Sequence, residues 1–357
     1  MTDTAYKIAV LGGDGIGPEV TQQAVQILQQ LEPQLSGVSF TFEEHSVGVG
    51  EYQKNGTALP ETAFTACQQS DAVLLGAMGL PSVRYPDGKE IVPQIELRER
   101  LDLYGGIRPI RLYHPNDTPL KSYDTGDIDF VLVRESTEGL FSSRGSTTDE
   151  DAQEATDLMR VTRPGVERIC RLAFQIAETR NKKVSLIDKA NVLPSMVFFR
   201  KVFDEIAAEF PGCQTEHVYV DAAALFLVRN PERFDVLVTE NMFGDILSDL
   251  AAGLVGGMGM APSADIGTTA AVFQPAHGSA PDIAGQGIAN PIAMILSAAM
   301  MLEWFEHPEA KRGGQLLGNS VATVLGDPAN RTSDMGGSLS TEQITTAIST
   351  ALADAVR

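Results

Sequence analysis

Short apolar runs typical of β-strands alternate with longer segments of helical periodicity along most of the chain. The strand-like runs fall at 7–11, 38–42, 72–75, 129–133, 183–187, 218–220 and 234–238. Helical patterns follow Pro18 and Pro60 and continue at 93–103, 165–178, 194–208 and from Asn241 onward. This alternation predicts an α/β protein with a largely parallel sheet. A stretch rich in Ser, Thr, Asp and Glu at 143–156 predicts an exposed arm or loop.

A glycine-rich turn, Gly12-Gly-Asp-Gly-Ile-Gly-Pro18, joins the first predicted strand to the first predicted helix. The order of strand, turn and helix is typical of dinucleotide-binding folds. However, Pro18 stands where a G-x-G-x-x-G fingerprint counted from Gly13 requires its third glycine. The alternative is a tight structural turn with proline in the first helical turn, where the missing N–H costs least.

The length and charge of the chain limit its organisation and its partners. At 357 residues it exceeds what one hydrophobic core usually organises, so two domains are expected. Asp and Glu total 47 against 27 Lys and Arg, a net charge of −20. This charge argues against nucleic acid or an anionic membrane surface as a partner. Because salt screens the overall field, an anionic ligand would require a local cluster of Arg or Lys.

The cysteines and apolar runs predict where the protein resides. Cys67, Cys170 and Cys213 are an odd number without metal or redox spacing, as in reduced cytoplasmic proteins. The longest apolar run, 292–302, is shorter than a membrane-spanning helix. The N-terminus lacks the charged and apolar regions of a signal peptide. We therefore predict a cytoplasmic protein without membrane contact.

Two carboxylates in the segment 241–249 are candidate metal ligands. Asn241 follows a strand-like run and is expected to cap a helix, on which Asp245 and Asp249 then lie four residues apart on one face. Their repulsion costs a few tenths of a kcal/mol even in solvent. A hard cation such as Mg²⁺ or Mn²⁺ would relieve it. The alternative is a solvated acidic stripe, which the apolar neighbours disfavour.

Three arginines are candidates for binding carboxylates. Arg98 lies in a predicted helix, Arg108 precedes Pro109, and Arg134 ends an apolar strand. A partly buried arginine needs a partner, and the guanidinium fork binds carboxylates in bidentate fashion. Three of them would suit a di- or tricarboxylate. The alternative for Arg134 is a structural ion pair with Glu135 or Glu138.

Lys189 and His277 are further candidates, each with a bland alternative. Lys189 follows a strand directly, where α/β proteins place catalytic groups, and near a divalent cation its pKa would fall enough for it to act as a base. Otherwise it is simply solvated. His277 lies in a loop five residues before Asp282, which could take the hydroxyls of an adenine ribose. Otherwise it is a surface histidine or one satisfied within the protein.

These segments together resemble the metal-dependent β-decarboxylating dehydrogenases, which include isopropylmalate, isocitrate, homoisocitrate and tartrate/D-malate dehydrogenases. The isopropylmalate and homoisocitrate enzymes are the most similar. The resemblance rests on the motifs LGGDGIGPE at 11–19, DKANVL at 188–193, YVDA at 219–222, GDILSD at 244–249, HGSAPDIAG at 277–285 and GIAN at 287–290.

The resemblance implies a two-domain α/β fold with a large mixed, mostly parallel sheet that is not a Rossmann fold. The glycine-rich turn is then structural. Residues 1–104 and 257–357 would form a large nucleotide-binding domain, and residues 105–256 a small domain with the dimer interface. The protein would be a homodimer with shared active sites.

The resemblance also implies the site residues. Asp245 and Asp249 would bind Mg²⁺ or Mn²⁺ with Asp221 of the neighbouring subunit, and Lys189 would be the catalytic base, also supplied across the dimer. Arg98, Arg108 and Arg134 would bind the substrate carboxylates. The cofactor would be NAD, because an Asp-Ile pair replaces the Lys-Tyr pair associated with NADP. Its contacts would be Asn191, His277, Gly278, Ser279, Ala280, Asp282, Ile283 and Asn290.

Three departures from the family pattern bear on the reaction. Phe141 stands where the family has a tyrosine linked to protonation of the enol, so decarboxylation could be impaired. Gln274 stands where a glutamate is common, which would remove a negative charge near the nicotinamide. The selectivity segment 91–95 carries Gln94 and Ile95 and fits no member cleanly.

The substrate expected first is therefore 3-isopropylmalate. Isocitrate, homoisocitrate, tartrate and D-malate remain alternatives, because Gln94 could hydrogen-bond a polar substituent. A catalytically weak carboxylate-binding protein is the alternative from another functional class.

Overall fold

The computed structural model describes residues 3–144 and 151–356. Ten strands form one sheet: β1 (Thr4–Gly13), β2 (Val38–Glu44), β3 (Ala72–Ala77), β4 (Gly105–Arg111), β5 (Asp129–Glu135), β6 (Lys183–Asp188), β7 (Gln214–Tyr219), β8 (Val236–Thr239), β9 (Pro262–Ile266) and β10 (Ala271–Pro275). The predicted arm at 143–156 falls partly outside the described residues; Ser143 ends a short 3-10 helix (Leu140–Ser143), and Arg144 and residues 151–156 are exposed and outside any helix or strand.

Eleven α-helices are assigned within the described ranges. They are α1 (Gly17–Leu31), α2 (Val49–Asn55), α3 (Glu61–Gln69), α4 (Pro93–Arg100), α5 (Arg163–Glu178), α6 (Pro194–Ala207), α7 (Val220–Arg229), α8 (Asn241–Gly253), α9 (Ile292–Trp304), α10 (Pro308–Leu325) and α11 (Thr341–Val356). No helix in this part of the chain is both long and apolar enough to cross a membrane.

The strand order is β2-β1-β3-β10-β9-β4-β5-β8-β6-β7. Neighbouring strands are parallel except for the three central pairs, β10/β9, β9/β4 and β4/β5, which are antiparallel. The predicted large, mixed and mostly parallel sheet is therefore confirmed. The sequence patterns did not predict β4, β9 or β10, so the antiparallel centre is a structural finding.

Each half of the sheet is built from different parts of the chain. The strands from β2 to β9 in the spatial order come from residues before 105 or after 256, and those from β4 to β7 come from residues between them. Helix α9 is buried almost throughout and packs with α1 against the first half, whereas α5 and α6 cover one face of the second half. The two halves meet where β9 pairs with β4. The predicted division into two domains stays a prediction.

The glycine-rich turn packs against protein backbone. A Cβ atom on Gly13 would lie 2.0 Å from the Ala77 carbonyl oxygen, and one on Gly15 would lie 1.9 Å from that of Ser279. Both glycines have positive φ, 78° and 57°, which few other residues adopt. The buried Asp14 carboxylate accepts three backbone N–H groups, at 2.8–2.9 Å, from Val49, Gly50 and Gly79. The close approach that these glycines permit is therefore to the protein itself.

Candidate active site

A row of charged side chains crosses the centre of the sheet. Arg134 on β5 and Asp265 on β9 both lie opposite Gly106 on β4, so all three positions face the same side. Arg108 lies two residues beyond Gly106 on that face. A Cβ atom at Gly106 would already lie 3.4 Å from Arg134 Cβ and from Asp265 Oδ1. Because Gly106 has no side chain, there is room beside it for both charged groups.

Arg134 is almost fully buried, with 2% of the residue exposed, and has several partners. Its Nε and Nη2 donate to Asn241 Oδ1 at 3.0 and 2.6 Å, and its Nη1 contacts Asp245 Oδ1. The alternative of an ion pair with Glu135 or Glu138 is wrong. These two carboxylates accept hydrogen bonds mainly from Thr137 and Thr162.

The start of α8 differs from the prediction. Glu240, not Asn241, caps the helix, and its carboxylate accepts the backbone N–H groups of Met242 and Phe243 at 3.1 and 2.7 Å. Asn241 is the first helical residue, and its amide bridges Arg134 and the carbonyl oxygen of Glu138. The cap is displaced by one residue because the asparagine side chain is used to hold the arginine.

Arg98 and Arg108 have fewer partners than Arg134. Arg98 Nη2 donates to Asp265 Oδ2 at 3.0 Å, and Arg108 Nη1 donates to Ser248 Oγ at 3.2 Å. The Nε atoms of both are buried and find no partner among the described residues. Burial lowers the pKa of Arg108, and burial together with the charges of Arg98 and Arg108 lowers the pKa of Arg134 to about 10. Two of the three guanidinium groups are paired with carboxylates, those of Asp265 and Asp245, and the unmatched positive charge of the third suits an anion.

A cavity of about 250 Å³ lies beside the arginines. Its volume is below the roughly 300–1,000 Å³ of pockets for drug-sized ligands, so it fits a small molecule. Gln94 Oε1 and His277 Nε2 are buried here without a partner among the described residues. The lining residues that the sequence singled out are Gln94, Ile95, Arg98, Arg108, Arg134, Phe141, Asp245, Gln274, His277 and Gly278.

Asp245 and Asp249 lie on successive turns of α8, as predicted. Burial and then the nearby Asp245 raise the pKa of Asp249, although the Arg108 charge opposes this. Their oxygens are of the type that Mg²⁺ and Mn²⁺ prefer. Within 3–144 and 151–356, however, no group of three Asp, Glu, His or Cys side chains is close enough to hold a metal. The donor set in one chain is therefore partial.

Lys189 and Asp221 form a separate pair at the carboxyl ends of β6 and β7. The Lys189 Nζ atom donates to Asp221 Oδ1 at 2.6 Å, which lowers the pKa of the Asp221 carboxyl. The Asp221 side chain is 69% exposed, and neither residue lines the cavity. Within one chain the structure therefore does not bring these predicted catalytic groups to the arginines.

The predicted nucleotide contacts follow β10 and are held by the surrounding protein. Burial lowers the pKa of His277, whose Nδ1 atom lies 2.9 Å from the carbonyl oxygen of Gly278. Ser279 is buried and its hydroxyl contacts Gly79. Ala280 has a φ of 37°, a strained conformation of the kind often kept at ligand sites.

The other predicted nucleotide contacts differ in exposure. Asp282 and Asn191 are exposed and Ile283 is half-buried. Asn290 is buried, where it accepts the backbone N–H of Ile292 at 3.0 Å and donates to Asp334 at 3.1 Å. Both ends of this amide are thus used within the protein. A nucleotide contact of Asn290 stays a prediction.

Two side chains that organise the arginine cluster were not predicted from the sequence. Asp265 was not singled out, and Asn241 was expected only to cap a helix. Asp265 is 2% exposed, pairs with Arg98 and also accepts from Gln274. A signal was present, because Asp265 is the lone charge in the segment Pro262–Ile266, and a buried charge must be paired.

Residues 7–348 match the model of the isocitrate/isopropylmalate dehydrogenase family. The chain belongs to this family. A 3-isopropylmalate dehydrogenase from Moorella thermoacetica is 47% identical over 84% of this chain and 85% of its own length. One from Geobacillus kaustophilus is 43% identical over 98% of this chain and 96% of its own.

Solved structures of the family have the same fold. An isocitrate dehydrogenase from Methylococcus capsulatus superposes with a TM-score of 0.86 at 38% identity, covering 97% of this chain and 99% of the other. A beta-decarboxylating dehydrogenase from Thermococcus kodakarensis gives a TM-score of 0.81 at 37% identity, covering 98% and 96%. The predicted enzyme class, a decarboxylating dehydrogenase, is confirmed over a non-catalytic binding protein.

Proposed function

We propose that this member of the isocitrate/isopropylmalate dehydrogenase family oxidises and decarboxylates a 3-substituted malate, with 3-isopropylmalate as the leading substrate. The observation that carries the proposal is the cluster of three buried arginines beside a small cavity, of which Arg98 and Arg108 each keep an Nε atom without a partner among the described residues. Relatives named 3-isopropylmalate dehydrogenase, at 41–47% identity, support the choice of substrate. NAD and Mg²⁺ or Mn²⁺ are the proposed cofactors.

The arginines bind and orient the substrate in this proposal. Arg108 supplies a guanidinium whose Nε atom is free of partners among the described residues, and Arg98 presents one in the same state. Arg134 is held rigidly by Asn241, so it offers a fixed edge to a carboxylate. Because the cluster is buried, these interactions are stronger than they would be in water.

The carboxylates on α8 would hold the metal. Asp245 and Asp249 would supply two carboxylates, and Asp221 of a second copy of the chain would supply the third. A bound divalent cation provides Lewis-acid polarisation of the substrate oxygens. Lys189 of that second copy would take the proton of the C2 hydroxyl. Its present partner, Asp221, lies 2.6 Å away, so the two groups would arrive at the site together.

The loop after β10 would bind the dinucleotide. These residues would hold NAD, which would supply a hydride acceptor for C2. The lowered pKa of His277 keeps its ring neutral near pH 7, and its buried Nε2 atom is available to a ligand. The exposed carboxylate of Asp282 suits the two ribose hydroxyls of NAD and would repel the 2′-phosphate of NADP.

Shared sites require a homodimer, which we also propose. Large apolar side chains are exposed on α6, α7 and α8, and a soluble monomer rarely shows such a patch without a function. They include Val197, Leu225, Val228 and Ile246. Sedimentation equilibrium should give twice the mass of the chain, and a monomer with full activity would contradict the proposal.

A second candidate concerns the decarboxylation step. Phe141 lines the cavity with its ring 5.2 Å from the guanidinium carbon of Arg134, and it has no proton to donate to the enol. Oxidation could then proceed faster than release of CO₂. Parallel measurement of CO₂ and NADH decides this question, because equal yields at all times would rule out a slow decarboxylation.

A panel of 2-hydroxy di- and tricarboxylates, assayed with NAD and NADP in the presence of Mn²⁺, tests the proposed substrate. We expect NADH formation to be fastest with 3-isopropylmalate and slow with NADP. The variant Gln94→Leu is the matched probe of the cavity wall, because it removes the unpartnered Oε1 atom while keeping similar size. It should favour 3-isopropylmalate over D-malate and tartrate. A preference for isocitrate in the wild type would contradict the proposal.

A further inference from the structure

A buried carboxylate, that of Asp265, lies on the strand next to Gln274. Val272 on β10 pairs with Asp265 on β9, so position 274 lies close by on the same antiparallel ladder. The Gln274 Nε2 atom donates a hydrogen bond to Asp265 Oδ2, and the same oxygen accepts from Arg98 at 3.0 Å. Gln274 itself lines the cavity. The cavity wall therefore connects directly to a buried negative charge.

Gln274 and Asp265 are hydrogen-bonded to each other and together contribute a single carboxylate to the cavity wall. A glutamate at position 274 would place two carboxylates within hydrogen-bond distance in a region where Asp265 is only 2% exposed. Two ionised carboxylates at that distance would repel each other and could not hydrogen-bond to each other, since both are acceptors only. A glutamine instead donates to the carboxylate. Glutamine at position 274 therefore gives Asp265 Oδ2 a hydrogen-bond donor beside the cavity and adds no charge of its own.

The Asp265 carboxylate changes how many carboxylates of a ligand the three arginines can neutralise. Asp265 pairs with Arg98 and Asp245 pairs with Arg134, whereas Arg108 bonds only to the neutral hydroxyl of Ser248 among its described side-chain partners. Two of the three guanidinium charges are therefore already matched by carboxylates of the protein. The Asp265 Oδ1 atom is buried without a partner among the described residues, so no hydrogen-bond donor offsets its negative charge there.

We propose that Asp265 is a positioning residue that sets the charge selectivity of the cavity. Acting through Arg98 and Gln274, it favours malates with an uncharged C3 substituent and disfavours tricarboxylates. The inference rests on the proposed function of the arginine cluster as the substrate-carboxylate site. A third ligand carboxylate would need a guanidinium of its own, and that of Arg98, which shares Asp265 Oδ2 with Gln274, is already paired.

Two ligands that lack the reactive hydroxyl test this selectivity without turnover. Succinate is the dicarboxylate probe and propane-1,2,3-tricarboxylate the tricarboxylate probe, each titrated calorimetrically into the full-length protein with Mg²⁺. The wild type should bind succinate more tightly by at least about tenfold, since like-charge contacts are among the costliest mismatches. In Asp265→Asn this ratio should fall by about tenfold or more. A ratio near one in the wild type, or no succinate binding, overturns the inference.

The variants are chosen so that a general loss of structure cannot imitate the result. Asp117→Asn is the matched control, because it breaks another buried ion pair, with Arg331 at 2.7 and 2.9 Å, away from the cavity. It should leave the ratio unchanged. Asp265→Ser removes the charge but keeps an acceptor for Gln274, and it replaces Asp265→Asn if that variant does not fold. An unchanged ratio in a folded Asp265 variant refutes the assignment.

Turnover supplies a second readout that separates this inference from the proposed function. With 3-isopropylmalate, Asp265→Asn should raise KM more than it lowers kcat, because Asp265 hydrogen-bonds to Arg98 and Gln274, which line the cavity, and not to the carboxylates on α8. If the wild type produces no NADH but still discriminates between the two probes, the proposed reaction fails and the charge selectivity stands. If NADH forms and discrimination is absent, the reaction stands and the selectivity fails.

Discussion

Replacing Arg108 should stabilise the free protein while weakening substrate binding. Arg108 is 7% exposed and has one side-chain hydrogen bond, to Ser248, whose hydroxyl keeps a second bond to the Asp245 carbonyl oxygen. Its pKa is lowered, so burial outweighs the attraction of Asp265, Asp245 and Asp249. The folded protein thus bears an incompletely compensated charge.

The magnitudes follow from these contacts. Losing one hydrogen bond to a charged group costs about 1.5–3 kcal/mol, whereas desolvating a buried ion costs several kcal/mol. Arg108→Met should therefore raise the free energy of unfolding by about 1–3 kcal/mol, comparable to other replacements of buried charges by apolar residues. A rise of a few degrees in Tm is expected. Affinity for succinate should fall by about tenfold to a hundredfold, which corresponds to one lost charged contact.

Arg134→Met is the matched variant and should behave oppositely in stability. It removes two hydrogen bonds to the buried Asn241 oxygen and an ion pair with Asp245. Leaving that oxygen without a donor should cost about 1–3 kcal/mol. Thermal unfolding followed by circular dichroism, with and without succinate, measures both effects. If Arg108→Met lowers Tm as Arg134→Met does, the view of Arg108 as an uncompensated charge kept for the ligand is wrong.

Three further variants test the step that Phe141 affects, the state of His277 and the shared site. Phe141→Tyr should increase the rate of CO₂ release by about a hundredfold, the low end of general-acid effects; an unchanged rate of CO₂ release relative to NADH formation would contradict this. Because His277 has a lowered pKa, the unfolded chain takes up a proton that the folded protein excludes as pH falls below 6.5. Stability is then lost on acidification. As the pH is lowered, the Tm of His277→Gln should fall less than that of the wild type, and an equal dependence of Tm on pH in the two proteins would contradict this. Mixed refolding of inactive Lys189→Met and Asp249→Asn should restore about a quarter of wild-type activity, as two-fold symmetric dimers with one intact site require; no recovery would oppose shared sites.

The sequence predicted the flanking parallel strands and the residues around the cavity because their signals are local. Lys183–Asp188 and Val236–Thr239 are short apolar runs, and Asp245 and Asp249 share a helix face by spacing alone. The antiparallel centre was not predictable in this way. Strand β4 begins with two glycines and contains Pro109, and β9 and β10 begin or end with proline, so propensity argues against strands there.

Long-range pairing explains the residues that were missed. Asp265 meets Arg98 across 167 positions and Asn241 meets Arg134 across 107, and no periodicity encodes such partners. The segment from Gly253 to Gly267 contains five glycines, a density that would allow a ligand to approach the backbone closely. In the structure, a Cβ atom on Gly259 would instead lie 2.4 Å from Asp334 Oδ2, so this glycine permits contact within the protein.

In the proposed function, the arginine cluster and the α8 carboxylates serve the oxidation by NAD of a malate whose C3 substituent is uncharged. The initial rate of NADH formation by the wild type with Mn²⁺ tests this, with 3-isopropylmalate and isocitrate compared at equal concentrations. We expect rapid NADH formation with 3-isopropylmalate and little with isocitrate, and loss of the signal in Asp249→Asn. No NADH with 3-isopropylmalate, or a higher rate with isocitrate, would contradict it.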